Sequence, residues 1–540
     1  MQRVEPLIKE MSPAEKVGQL LCIGVYGDEH GWASKDEETL IKKYHVGAVR
    51  IYGSRHNSVF CRQYINELQN WALSTKLGIP LIVSVDAEYG LYHEVNEGVS
   101  VFPTSSGIGA CDSLAITRKV SEVIARESLA IGINMNQRPV ADVNVNPLNP
   151  VIGVRAYGDD VDRVCDQVEA SIIGAKSKGL ITCAKHFPGH GDTQFDSHKE
   201  LPIIDCGIED LKRVHLPPFV RAIKVGVDSI MTAHIITPCI DPDFPGTLSY
   251  NVLQKLLRDE MGFDGVVITD GMTMSAIKDN YTIEYAAVKA INSGVDLILS
   301  SYRDMDDHIL MYEAVLKAYR DGVISEERLN ESVRRVLKLK ASRNWFQSSR
   351  IGDIRGVLEV CQSNEHSKIN REALERSMTL IKNEDAIPLR PQERVLITGV
   401  NDVHGVSKAL MDRGHMVMGY QLRARKKGAS LQDEDLKNVL SLSENADVVV
   451  VLTYTHHGSL SSEQQRLLEA LKEKKAKIIV IALGLPYDAA NAEGISAYLL
   501  TYLQAYTKAY PNPLPDIFTN ALADALTGVY KPTGKCPFRL

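Results

Sequence analysis

The chain has no excess of positive charge. Its 61 Lys and Arg are outnumbered by 68 Asp and Glu, for a formal charge of −7, so neither nucleic acid nor an anionic membrane is an expected partner. No apolar run is long enough to span a bilayer, and the opening "MQRVEPLIKEMSPAEKVGQL" has no apolar signal core. The expectation is a cytoplasmic protein, unless a leader has been trimmed. There is no C-x-x-C pair. The nine cysteines (Cys22, Cys61, Cys111, Cys165, Cys183, Cys206, Cys239, Cys361 and Cys536) are scattered and odd in number, which argues for buried reduced thiols over a disulfide framework or a zinc site. Tandem repeats, low-complexity stretches and an H-E-x-x-H metal pattern are also missing.

What is present is material for a large core. At 540 residues, 44% hydrophobic and 24% charged, the chain has the composition of a soluble globular protein of about two to four domains. Up to residue 300, short apolar runs alternate with stretches of helical period. The runs are "LLCIGV" (20–25), "GAVRIY" (47–52), "LIVSVD" (81–86), "NQRPVADV" (136–143), "ITCAKH" (181–186), "SIMTAH" (229–234), "VVITDG" (266–271) and "VDLILS" (295–300). Helix candidates between them include "SLAITRKVSEVIARESLAIG" and "LKRVHLPPFVRAIKVG", whose Pro-Pro leaves its boundaries open. The repeated strand–helix unit predicts an α/β chain with a (β/α)8 TIM-like barrel, although doubly wound sheets share the alternation.

Asp86, Asp142, Lys185 with His186, His234 and Asp270 stand at or just past the C-terminal ends of these runs. In a parallel barrel those ends converge on one face, where catalytic groups reside. A turn-forming or helix-capping Asp is the bland alternative for each one taken singly. Residues 303–346 read as closing helices, with Ser325, Glu327 and Arg328 as a helix start. Periodicity fades over 347–365, the expected linker, so 1–346 is the expected barrel. A second α/β segment, 366–540, carries strand-like "RVLITGV" (394–400), "ADVVVVLTY" (446–454) and "KIIVIALG" (477–484). It is too short for another barrel and reads as an αβα three-layer sandwich.

The stretch "AKHFPGHGDTQFDSHKELP" (184–202) gathers His186, His190, His198, Asp192 and Asp196 on a segment broken by Gly and Pro. A metal site, a solvated loop and an acid/base site are the candidates. The spacing fits no strong zinc pattern. In "DSH", Asp196 and His198 are two apart, so on an extended loop they reach the same side. A carboxylate beside an imidazole sets its tautomer and favours its protonated form, which suits it to proton transfer near neutral pH. Asp270, in "GVVITDGMTM", is a carboxylate at a strand end that can attack an anomeric carbon. Its bland alternative is an N-cap for the next helix.

"KHFPGHGDTQFDSH", "VADVNVNPLNPVIGVRAYG" and "VVITDGMTM" closely resemble signature segments of glycoside hydrolase family 3, in its two-domain β-N-acetylglucosaminidase (β-hexosaminidase) branch. "LERSMTLIKNEDAIPL" resembles the start of that family's second domain. The resemblance implies a retaining exo-β-N-acetylhexosaminidase that needs no cofactor and no metal and acts on a small carbohydrate, an N-acetylglucosaminide. It implies Asp270 as nucleophile and His198 as acid/base with Asp196 as its partner. Asp86, Arg155, Lys185 and His186 are implied sugar contacts, and His234 and Met272 are further expected substrate-side residues. Cell-wall recycling or chitin-fragment breakdown is the family-level setting. One departure stands out: where the family motif reads D-Q-E-G-G-R, this chain reads "DAEYGL" (86–91), with Leu91 at the arginine position. A cationic sugar contact is therefore missing or supplied elsewhere. β-Glucosidase relatives take an acid/base glutamate from the second domain, and Glu463 is the candidate here. With Ser461 and Gln464 it reads instead as a helix start. A β-glucosidase or β-xylosidase, a phosphorylase, and a sugar-binding protein without catalysis are the alternatives.

Overall fold

The computed structural model describes residues 3–52, 57–95, 97–194, 196–197, 200–346, 351–400, 402–422, 433–455, 458, 460–487, 492–503 and 514–540. The chain forms two compact units. The first is residues 1–100, 117–146 and 161–367, and the second is 101–116, 147–160 and 368–540. Two stretches that precede residue 346 thus belong with the C-terminal segment. Among the described residues no helix is long and apolar enough to cross a membrane.

The first unit is an eight-stranded, all-parallel sheet. Its strands are β1 (Leu21–Val25), β2 (Ala48–Ile51), β3 (Ile82–Val85), β4 (Met135–Asn136), β5 (Ile181–Phe187), β6 (Ser229–Thr232), β7 (Val266–Ile268) and β8 (Ile298–Ser300). β8 pairs with β1, and the Ile268–Leu297 bridge closes the ring, so this is the expected barrel. Its strands are buried on both faces, which is why they read as near-continuous apolar runs. Cys22, Ala48, Ile82, Met135, Ile181, Cys183, Met231, Ile268 and Leu299 pack together as the filling of the barrel.

Seven of the eight runs coincide with strands; "NQRPVADV" overlaps its strand only at Asn136. Pro139 has no N–H to give to a ladder. The chain beyond it still runs beside β5, where Ala141 N donates to the Lys185 carbonyl and Lys185 N to the Pro139 carbonyl. "LKRVHLPPFVRAIKVG" splits into a wide turn, Leu211–His215, and a helix, Pro217–Lys224. The prolines open the second helix, where first-turn N–H groups have no intrahelical partner. The helix Glu326–Ser342 starts as expected, with Ser325 accepting from Arg328 N. Six cysteines are buried. Cys206 and Cys536 are half-buried and Cys239 is exposed, which departs from the expectation of burial throughout; none of the nine forms a disulfide.

The second unit is built on a six-stranded sheet: β9 (Thr379–Asn383), β10 (Arg394–Gly399), β11 (Met416–Gln421), β12 (Val448–Thr453), β13 (Lys477–Ala482) and β14 (Ala497–Leu500), in the order β11-β10-β12-β13-β14-β9. Only β9 runs antiparallel. Alternate residues feed two separate cores. Val395, Ile397, Val448 and Val450 pack under helices Val403–Met411 and Asp516–Leu526. Leu396, Val449, Val451 and Val480 pack under Asp433–Ser443 and Ser462–Lys472. Strands apolar on both faces demand helices on both faces, and the result is the three-layer sandwich.

Candidate active site

Asp270 lies two residues past the end of β7, on the face where the strands end. Its Oδ1 accepts from Gly271 N at 2.7 Å, and its side chain keeps 22% of its surface exposed. It caps no helix: the next one, Ser275–Lys278, has Met274 at its N-cap. Facing Asp270 is His186, whose Nε2 is 4.0 Å from Asp270 Oδ2. The other ring nitrogen, Nδ1, is 2.8 Å from Asp142 Oδ2. A carboxylate can only accept, so Nδ1 carries a proton. Asp142 is 1% exposed and accepts also from the backbone N–H of His186 and His190, at 3.3 and 2.7 Å. Several donors on one buried carboxylate satisfy it and fix the imidazole it holds.

Lys185 and His186 are consecutive, and side chains of consecutive strand residues normally face opposite ways. The register of β5 against β6 shifts between Ala184 and Phe187, and a bulge of this kind re-aims side chains. Lys185 is fully buried, with Nζ 2.5 Å from Asp86 Oδ1 and 2.8 Å from Glu88 Oε1. The other Asp86 oxygen is 3.7 Å from Nη2 of Arg50, which is also 3.5 Å from Glu94 Oε1. Burial works against the Arg50 charge, but the oxygens of Tyr52, Glu94, Asp86 and Asp270 outweigh it and push its pKa up. Sequence reasoning passed over Arg50, Glu88 and Glu94. The sole signal for Arg50 was a charge inside the apolar run "GAVRIY", a position that an inward-facing strand residue leaves costly unless it is paired.

His234 sits past β6 and is buried. Its Nε2 lies 3.1 Å from the Gly271 carbonyl and its Nδ1 2.7 Å from Thr247 Oγ1. The carbonyl accepts only, so Nε2 carries a proton. Both ring nitrogens thus have contacts within the protein, and His234 touches the backbone next to Asp270. Met272 is buried and pinned by Met272 N to the Leu299 carbonyl at 3.1 Å.

The histidine-rich loop is tied at its root. The His190 ring contacts Thr193 Oγ1 at 2.8 Å and Ser197 Oγ at 3.1 Å. The Ser197 carbonyl accepts from Ala276 N at 3.3 Å, so the loop is fastened to the short helix that follows Asp270. A Cβ on Gly191 would come 1.7 Å from the Val143 carbonyl oxygen, so only glycine fits there. Asp196 is half-buried, with its carbonyl accepting from Glu200 N. His198, the expected acid/base, lies outside the described residues. Among the described residues no three His, Cys, Asp or Glu side chains converge as a metal-holding group.

Arg155 belongs to the second unit. It ends a short turn, Gly153–Arg155, and its Nη1 donates to the Val151 carbonyl at 3.2 Å. Glu463 is in the first turn of its helix, where Ser461 Oγ accepts from Gln464 N as expected. The Gln464 amide turns instead to the Tyr454 backbone.

Comparison with known proteins converges on one family. The family description "Glycosyl hydrolase family 3 N terminal domain" matches residues 13–339, and "Glycosyl hydrolase family 3 C-terminal domain" matches 378–540. A protein named beta-hexosaminidase A from Pseudoalteromonas piscicida is 27% identical over 551 positions, spanning 92% of this chain and 90% of that one. The beta-N-acetylglucosaminidase/beta-glucosidase of Cellulomonas fimi is 30% identical over 401 positions, spanning 72% of this chain and 68% of that one. The solved structure of a glycoside hydrolase family 3 beta-N-acetylglucosaminidase from Paenibacillus sp. str. FPU-7 is 33% identical with a TM-score of 0.88, over 98% of this chain and 99% of that one. The chain belongs to glycosyl hydrolase family 3 and is a glycoside hydrolase.

Proposed function

We propose that the chain is a retaining exo-β-N-acetylhexosaminidase that releases terminal β-linked N-acetylglucosamine. The observation that carries this reading is the Asp270 carboxylate, part-exposed at a strand end, 4.0 Å from an imidazole fixed by buried Asp142. Asp270 attacks C1, a C–O bond forms to its carboxylate, and the glycosidic C–O bond breaks. His198 gives its proton to the departing oxygen. It then takes a proton from water, whose oxygen displaces Asp270 and restores it. Two inversions at C1 leave the β configuration unchanged. Asp196 supports the His198 charge, while Lys185, Asp86 and His186 hold sugar hydroxyls. The acetylated sugar is favoured by the "DSH" loop and by the names of the similar proteins.

A β-glucosidase is the second reading. Leu91 favours it, and so does the double name of the Cellulomonas fimi protein. The test is nitrophenol release from the β-N-acetylglucosaminide and the β-glucoside, with and without chelator. Chelator-insensitive turnover of the acetylated sugar, with little on the glucoside, supports the reading. Preference for the glucoside moves the chain to the second reading, and no turnover of either overturns both. Sugar-1-phosphate formed in phosphate buffer would make the enzyme a phosphorylase.

A further inference from the structure

Arg50 is a cation in a place built to hold one, and the fold leaves part of it unused. β2 alternates, so Arg50 shares the inner face with Ala48, which packs in the barrel filling. In register beside it stand Gly24 on β1 and Ser84 on β3, both small enough to admit a long side chain. A Cβ on Gly24 would come 3.0 Å from the Tyr52 ring, and the Arg50 guanidinium lies over that ring at 3.7 Å from its centre. The group is therefore aimed and stacked by its surroundings.

Its donors are unevenly used. Nε donates to Gln137 Oε1 at 3.2 Å, while Nη2 lies 3.5 Å from Glu94 and 3.7 Å from Asp86. Nη1 is buried, and among the described residues nothing accepts from it. Arg50 as a whole is 8% exposed. A buried guanidinium N–H without an acceptor is costly, so its retention points to an acceptor that arrives from outside. Asp86, next to it, is occupied on its other oxygen by Lys185. Leu91 is fully buried and apolar, so that position supplies no cation; the same turn carries Glu94, which faces Arg50.

We propose that Arg50 is a substrate-binding residue whose Nη1–H donates to a glycone ring hydroxyl next to the one held by Asp86. This rests on the glycosidase reading of the site and adds a determinant of glycone specificity to it. A hydroxyl accepts from Nη1 and can donate to Asp86, so a neighbouring pair of ring hydroxyls fits the Arg50–Asp86 pair.

The test compares wild type, Arg50→Lys and Arg50→Met on nitrophenyl β-N-acetylglucosaminide and its 3-, 4- and 6-deoxy analogues. On the parent, Arg50→Met is expected to lose roughly ten- to a hundred-fold in kcat/KM, the worth of one charged hydrogen bond. On the analogue lacking the contacted hydroxyl, the same substitution is expected to cost less than about three-fold, because the contact is already gone. Arg50→Lys keeps the charge and, if Arg50→Met does not fold, carries the same comparison. Equal losses on every analogue would mean that Arg50 only braces Asp86 and Glu94, and would overturn the proposal. If wild type prefers the glucoside, the deoxy series is built on that sugar. If wild type turns over neither, the glycosidase reading fails first. Calorimetric titration of N-acetylglucosamine and its deoxy analogues then decides Arg50, and identical affinity in wild type and variant overturns it.

Discussion

Lys340 offers a sharp test of the barrel's energetics. It lies on helix Glu326–Ser342, is fully buried, and donates to Gln19 Oε1 and the Gly47 carbonyl, each at 2.8 Å. Those residues precede β1 and β2, at the end of the barrel away from Asp270. Burial lowers its pKa from 10.5 to about 7. Between those two values the unfolded chain binds a proton that the folded chain does not, so stability rises with pH across that window and is flat below it. At about 1.4 kcal/mol for each tenfold loss of proton affinity, the penalty is roughly 4 kcal/mol near pH 7 and roughly 1.4 kcal/mol near pH 9.5. Lys340→Met removes this dependence and leaves Gln19 Oε1 without that donor, at a cost of about 1–3 kcal/mol. The variant is therefore expected to match or exceed wild type near neutral pH and to fall below it near pH 9.5, with the gap moving by roughly 3 kcal/mol. The difference between the two proteins is what matters. Buried thiols such as Cys22, Cys61 and Cys183, each pushed up to about 12 by burial, work in the opposite sense at high pH in both. Urea unfolding followed by tryptophan fluorescence is the assay, because Trp32, Trp71 and Trp345 all belong to the first unit. A gap that stays constant from near pH 7 to near pH 9.5 would refute the reasoning.

Asp270→Asn should remove essentially all turnover while the fluorescence melt stays within about 1 kcal/mol of wild type, since the side chain is part-exposed; normal turnover would exclude it as nucleophile. His198→Ala should hurt most with poor leaving groups and least with activated phenols, which depart without a proton; a uniform loss across leaving groups would deny it the acid's role. Asp142→Asn replaces the only-accepting partner of His186 Nδ1 with a group that can donate, which releases the tautomer. It should cost roughly ten- to a hundred-fold in kcat/KM, one charge-assisted hydrogen bond, on every substrate of the deoxy series alike. A loss confined to one analogue would contradict a purely positioning role.

Much of the barrel was legible because its signal is local. A strand buried on both faces shows up as an apolar run wherever it lies, and seven of eight runs proved to be strands. β4 was misplaced because Pro139 sits inside an otherwise strand-like stretch and cannot donate to the ladder. In the second unit β10, β12 and β13 were visible as apolar runs. β11 and β9 escaped because edge strands are only half-buried and carry no such run. Asp142 was noticed as a strand-end residue, but nothing near it in sequence tied it to His186, 44 residues on. His234 looked like its neighbours in the strand-end series, and its contacts with Thr247 and Gly271 became visible only in the fold.

The sequence by itself determined the alternation of strands and helices, the converging strand ends and the family, since these follow from short-range period and from motifs written continuously along the chain. Tertiary structure decided which charge meets which. Lys185 lies between Asp86 and Glu88, and Arg50 between Glu94, Asp86 and Gln137, because the closed sheet brings together side chains 36 to 99 residues apart. Coulombic and hydrogen-bond energies depend on ångströms in space, and spacing along the chain does not encode them.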